Sequence, residues 1–90
     1  MKIVICEFID ERVLPALQAK HEVVYDARLV DDKPRLMDLA ASADAIVVRN
    51  RTQVRGELLA ALTKCRVVGR LGVGLDNIDV PACEARGMKV

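Results

Sequence analysis

Ala45-Ile46-Val47-Val48-Arg49-Asn50-Arg51-Thr52 is four unbroken apolar residues followed by four polar ones. A run that is continuous rather than alternating marks a strand covered on both faces, as in a parallel sheet. Similar runs occur at Ile3–Cys6, Val23–Tyr25, Val67–Val68 and Met88–Val90. Helical stripes lie between them. Leu36, Leu39, Ala40 and Ala43 repeat at i, i+3, i+4 and i+7, as do Leu58, Ala61, Leu62 and Cys65.

Boundary residues agree with this pattern. Asp32 can cap a helix whose first turn holds Pro34, where a missing N–H costs nothing. Asp79 can cap another that holds Pro81, and Gly87 then closes it in a left-handed conformation. Val13, Leu14 and Leu17 form the stripe of a first helix, and Pro15 places its start between Asp10 and Val13. The order is therefore β-α-β-α-β-α-β-α-β. It predicts an α/β fold: a flavodoxin-like, doubly wound parallel sheet of about five strands in three α/β/α layers, in the order 2-1-3-4-5. The last residues fall inside a central apolar strand, so a truncated product or a fragment is expected.

Ninety residues make one small domain, 52% hydrophobic and 30% charged, with only Phe8 and Tyr25 aromatic. The core must then be Val, Ile, Leu and Ala. A net charge of +1 with no basic, aromatic-laced stripe argues against nucleic acid. No apolar run is long enough to cross a bilayer. Charges at Glu7, Asp10, Glu11 and Arg12 interrupt the start too early for a secretion signal. Cys6, Cys65 and Cys83 are odd in number and lack a CxxC pair, which argues against a disulfide framework or a zinc site and fits a cytoplasmic location.

In open α/β sheets, ligands bind beyond the carboxyl ends of the strands. That rim collects Cys6-Glu7-Phe8, Arg49-Asn50-Arg51-Thr52 and Gly69-Arg70-Leu71-Gly72-Val73-Gly74. Arginine forks and glycine backbone amides together make an oxyanion site. Taken singly, each glycine is better read as a tight turn and each arginine as a solvated surface residue. The convergence of three segments favours function. Gly72-Val73-Gly74 resembles the opening of G-x-G-x-x-G, but Asn77 stands where the third glycine belongs. Leu75-Asp76-Asn77-Ile78 reads as loop, so NAD is not assigned to this segment. His21, the lone histidine, reads as a solvated loop residue, and Asp31-Asp32 as a helix cap rather than a metal site.

The stretch Val67-Val68-Gly69-Arg70-Leu71-Gly72-Val73-Gly74-Leu75-Asp76-Asn77-Ile78-Asp79 closely resembles the D-isomer-specific 2-hydroxyacid dehydrogenase family, its phosphoglycerate dehydrogenase members in particular. Val47-Val48-Arg49-Asn50-Arg51-Thr52 matches upstream, and Ala82, Glu84, Gly87 and Val90 continue the match. The resemblance implies an outer substrate-binding domain, with NAD held by a separate Rossmann domain absent from these 90 residues. It implies that backbone amides at Val73 and Gly74 grip a substrate carboxylate and that Arg49 and Arg70 reach the far end of the substrate. Arg51 stands where many relatives carry a smaller residue, and Gly72 opens the loop. The family's catalytic arginine, glutamate and histidine have no counterpart here. The implied reaction is hydride exchange between a nicotinamide and a 2-hydroxy or 2-keto acid. The segment alone is expected to be inactive, and to form a homodimer to cover apolar surface.

Two other classes share the topology. A receiver-type signalling domain needs an aspartate at the end of the third strand, where Arg49 stands. A flavodoxin needs a hydroxyl-rich phosphate loop after the first strand, where Glu7-Phe8-Ile9-Asp10 stands. A free-standing carboxylate-binding module remains an alternative.

Overall fold

The computed structural model describes residues 1–71 and 74–90. Four parallel strands, β1 (Lys2–Ile5), β2 (Glu22–Tyr25), β3 (Ala45–Val48) and β4 (Val67–Arg70), form one sheet in the order β2-β1-β3-β4. The register pairs Ile5 with Tyr25 on one side and Val47 on the other, and Val48 with Arg70. The expected fifth strand is reduced to one bridge, Val67 to Lys89. It is held by Lys89 N–H to the Arg66 carbonyl (2.8 Å) and Val68 N–H to the Lys89 carbonyl (2.7 Å). Its position beside β4 continues the predicted order.

The helices are α1 (Leu14–Gln18), α2 (Lys33–Ala40), α3 (Gly56–Ala61) and α4 (Val80–Ala85). Single 3-10 turns at Glu11–Val13 and Leu29–Asp31 lead into the first two. Asp10, Asp32 and Asp79 each accept a backbone N–H at a helical start, from Arg12, Arg35 and Ala82, satisfying donors the first turn leaves over. Gly87 follows α4 at φ 77°, the left-handed position that a Cβ disfavours. The α3 stripe is shorter than its periodicity predicts. Leu62 leaves the helical region (φ −79°, ψ 62°), and Cys65 reaches the core from the turn before β4. The chain must reverse within a few residues to enter β4, so the apolar spacing outlasts the helix.

Two apolar clusters lie on the two faces of the sheet. The larger one joins Val4, Ile46, Val48 and Val68 to Leu36 and Ala40 of α2, Leu58 and Leu59 of α3, and Cys83 of α4. The smaller one joins Ile3, Ile5 and Ala45 to Leu14 and Leu17 of α1. Alternation along each strand sends neighbours to opposite faces, which is why the strands carry runs without polar residues. All three cysteines are free and buried, and burial pushes the Cys6 thiol up to about 12. No helix of the described residues is long and apolar enough to cross a membrane.

Candidate substrate-binding rim

The carboxyl ends of β1, β3 and β4 put Glu7, Arg49 and Arg70 along one edge. Glu7 is 4% exposed and is the acceptor for the polar turn after β3. Its carboxylate receives the N–H groups of Arg49 (2.7 Å), Arg51 (3.1 Å) and Thr52 (3.0 Å). Burial pushes this carboxyl up, but the backbone donors outweigh it and hold the group below its usual range. The buried Thr52 hydroxyl stands close enough to add to that lowering, yet makes no hydrogen bond of good geometry.

Asn77, also 4% exposed, holds the same turn by its carbonyls. Its Nδ2 donates to the carbonyls of Arg49 and Thr52, both at 2.8 Å. Its Oδ1 accepts from Nε of Arg70 at 3.1 Å, and Nη1 of Arg70 donates to the Leu71 carbonyl at 2.8 Å. The 75–79 loop is stitched to the chain before α3 by Val54 N–H to the Asn77 carbonyl (2.8 Å) and Asp79 N–H to the Val54 carbonyl (3.0 Å). Arg55 adds a guanidinium contact to the Asp76 carbonyl.

One carboxamide thus holds the backbone of Arg49 and the guanidinium of Arg70. Arg49 is exposed, with Nη1 3.4 Å from the Phe8 carbonyl. Arg51 does not join them. It turns to Asp31, with Nη2 to Oδ1 at 2.5 Å and Nη1 to Oδ2 at 3.3 Å, and that carboxylate raises the guanidinium pKa. Gly74 sits at φ 84° and is exposed. Gly72 and Val73 lie outside the described residues. A cavity of about 190 Å³ opens beside the rim between Glu7, Phe8, Val30 and the Arg49–Arg51 turn. His21 precedes β2 and so lies at the opposite edge of the sheet. Among the described residues no cluster of metal-ligating side chains occurs.

Sequence reasoning misses the roles of the two residues that build the rim. Glu7 is placed on the rim by its position after the first strand, but without the role of holding the turn after β3. Asn77 reads only as the residue in place of a glycine. An ionisable residue directly after an unbroken apolar strand is the available signal for Glu7.

Residues 3–90 match the family model for the catalytic domain of D-isomer specific 2-hydroxyacid dehydrogenases. The chain belongs to that family. It is 50% identical over 88 residues to the (S)-sulfolactate dehydrogenase of Chromohalobacter salexigens, covering 98% of this chain and 28% of that protein. It is 42% identical over 84 residues to the D-3-phosphoglycerate dehydrogenase of Mycobacterium tuberculosis, covering 91% of this chain and 16% of that one. The chain therefore spans less than a third of either relative. Among solved structures, NAD+-bound 3-phosphoglycerate dehydrogenase of Entamoeba histolytica superposes with a TM-score of 0.73 at 27% identity, over 98% of this chain and 31% of that one. The TT0316 protein of Thermus thermophilus superposes at 0.87 with 20% identity, over 98% of this chain and 29% of its own; at that identity the likeness concerns the fold.

The described residues do not fit a dinucleotide. A pyrophosphate cradle needs a helix N-terminus directly after the glycines. Here α4 starts only at Val80, and Asn77, in the place of the third glycine, is buried and fully engaged.

Proposed function

We propose that this chain is the substrate-holding part of an NAD-dependent oxidoreductase acting on the CH–OH group of a D-2-hydroxy acid that carries a second anionic group. The observation that carries this reading is the pair Arg49 and Arg70 on the carboxyl edge of a parallel sheet, the first tied to Asn77 by its backbone carbonyl and the second by its guanidinium. Two guanidinium groups exceed what a single carboxylate needs. The two relatives named above act, by their names, on sulfolactate and phosphoglycerate. Each of those acids bears a carboxylate and a second anion.

In this reading the loop at Gly72, Val73 and Gly74 offers backbone amides to the carboxylate. Arg49 and Arg70 take the distal anion, so C2 is presented in one orientation. Arg51, paired with Asp31, stays outside this grip. NAD binds to another domain, and these residues supply orientation rather than proton transfer. The chain works in the cytoplasm and pairs as a homodimer.

Calorimetric titration of the chain with 3-phosphoglycerate, sulfolactate and D-lactate tests the reading. The two acids with a second anionic group are expected to bind at least about tenfold more tightly than lactate, the order of one charge-assisted contact. Equal affinity for all three would overturn it. A polypeptide carrying this chain with a dinucleotide-binding domain should then change absorbance in the nicotinamide band with the same preference.

A further inference from the structure

The turn from Arg49 to Thr52 is gripped from two sides, its N–H groups by Glu7 and two of its carbonyls by Asn77. A carboxamide has two donor hydrogens and an acceptor oxygen. Both Asn77 donors go to the turn that carries Arg49, and the oxygen goes to Arg70. A side chain that merely stapled one turn would not need the arginine on the next strand.

The chemistry of the acceptor matters as much as its place. Arg51 is met by the Asp31 carboxylate, which neutralises it. Arg70 is met by a neutral amide oxygen and a backbone carbonyl, which fix its plane and leave its charge for a ligand. A carboxylate of the same shape at position 77 would supply the acceptor but cancel that charge and remove both donors.

We propose that Asn77, backed by Glu7, is the specificity-determining positioning residue of this rim: by holding the Arg49 backbone and the Arg70 guanidinium at once, it sets where the two arginines stand and so the rim's preference for a substrate with a distal anion. The inference rests on the reading above, that Arg49 and Arg70 together take the distal anion of the substrate.

The test uses the 90-residue chain, with sulfolactate as the dianion and D-lactate as the monoanion. In Asn77→Asp, the dianion-to-monoanion affinity ratio falls by about tenfold or more, while lactate affinity stays within about threefold. The Arg70 Nε–H resonance and the Arg49 amide shift together. In Glu7→Gln, which serves if Asn77→Asp does not fold, the ratio falls by at least about threefold and the Arg49, Arg51 and Thr52 amides shift. A folded variant with an unchanged ratio overturns the proposal. So does an equal loss for both anions, which is what a purely structural staple would give. If the wild-type chain shows no preference between the anions, the reading of the rim fails instead. The positioning role then stands on whether the Arg70 and Arg49 signals still move together in Asn77→Asp, and it is overturned if they do not.

Discussion

Arg51 and Asp31 face each other in a two-bond contact, Nη2 to Oδ1 at 2.5 Å and Nη1 to Oδ2 at 3.3 Å, across the mouth of the rim. Both side chains are more than half exposed, so the pair adds little to stability, ~0–1 kcal/mol. Its consequence is for recognition, because a guanidinium already holding a carboxylate competes poorly for a second anion. Among the described residues, Arg49 and Arg70 meet neutral carbonyl and amide oxygens. Alanine at Arg49 or Arg70 is expected to weaken dianion binding by ~1.5–3 kcal/mol. Alanine at Arg51 is expected to cost less than half of that. Titration of the three variants with 3-phosphoglycerate checks the order. Arg51→Ala as damaging as Arg70→Ala would place Arg51 in the site.

Glu7 gives the rim a pH dependence of defined sign. Its carboxyl is buried, yet three backbone N–H groups hold its pKa below the ordinary 4.5, and Arg49 and Arg51 stand on the same turn. A group whose pKa is depressed on folding contributes stability above its unfolded pKa. That contribution is lost as pH falls through the folded value. Glu7→Gln offers one carbonyl oxygen where the carboxylate offered two charged ones, so at least one buried N–H loses its partner. The expected loss at pH 7 is ~1.5–3 kcal/mol. The gap in melting temperature between wild type and Glu7→Gln should be full at pH 7. It should narrow as pH drops below about 4.5, the region where linkage to this carboxyl begins. A gap that is constant from pH 7 to pH 3 would show that the carboxylate charge does not hold the turn.

The fold is legible because its signals are local. Asp32 and Asp79 cap helices, and each bonds an N–H three residues ahead, a distance any sequence window covers. The site is only half legible. Arg49, Arg70 and the glycine loop follow strands and so announce themselves. Glu7 bonds residues 42 to 45 positions away, and Asn77 joins segments 25 and 28 positions apart. No periodicity encodes such distances; they come from the order in which parallel strands are laid side by side. Arg51 reads as a third rim donor for the same reason, since Asp31 approaches it from another crossover.

The loop at Gly72-Val73-Gly74 should not bind a dinucleotide. The chain after it runs through Leu75 to Asp79 without helix, and both side-chain donors of Asn77 are already used. Calorimetry of the 90-residue chain with NADH is expected to show no saturable heat up to about millimolar ligand, the weak end of specific association. Micromolar binding would mean that a cofactor site exists within these residues.

The face of the sheet that carries α1 is only partly roofed. Ala45 and Val47 of β3 pair in register with Val67 and Gly69 of β4, so all four stand on that face. Ala45 belongs to the cluster under α1, with Val47 packed at its margin. Val67 beyond them is 38% exposed. The single bridge at Lys89 leaves the edge beside β4 short and mostly unpaired. An apolar strip next to an open parallel edge favours association with another copy, because one contact removes both from water. The chain is therefore expected to sediment as a species heavier than 9.9 kDa at micromolar concentration, on the order of a modest apolar interface. Val67→Lys puts a charge in the middle of the strip without touching the larger core on the other face. It should shift the population to monomer and leave the melting temperature nearly unchanged. A wild-type chain that is monomeric at those concentrations would show that α1 and the strand edge cover this face well enough on their own.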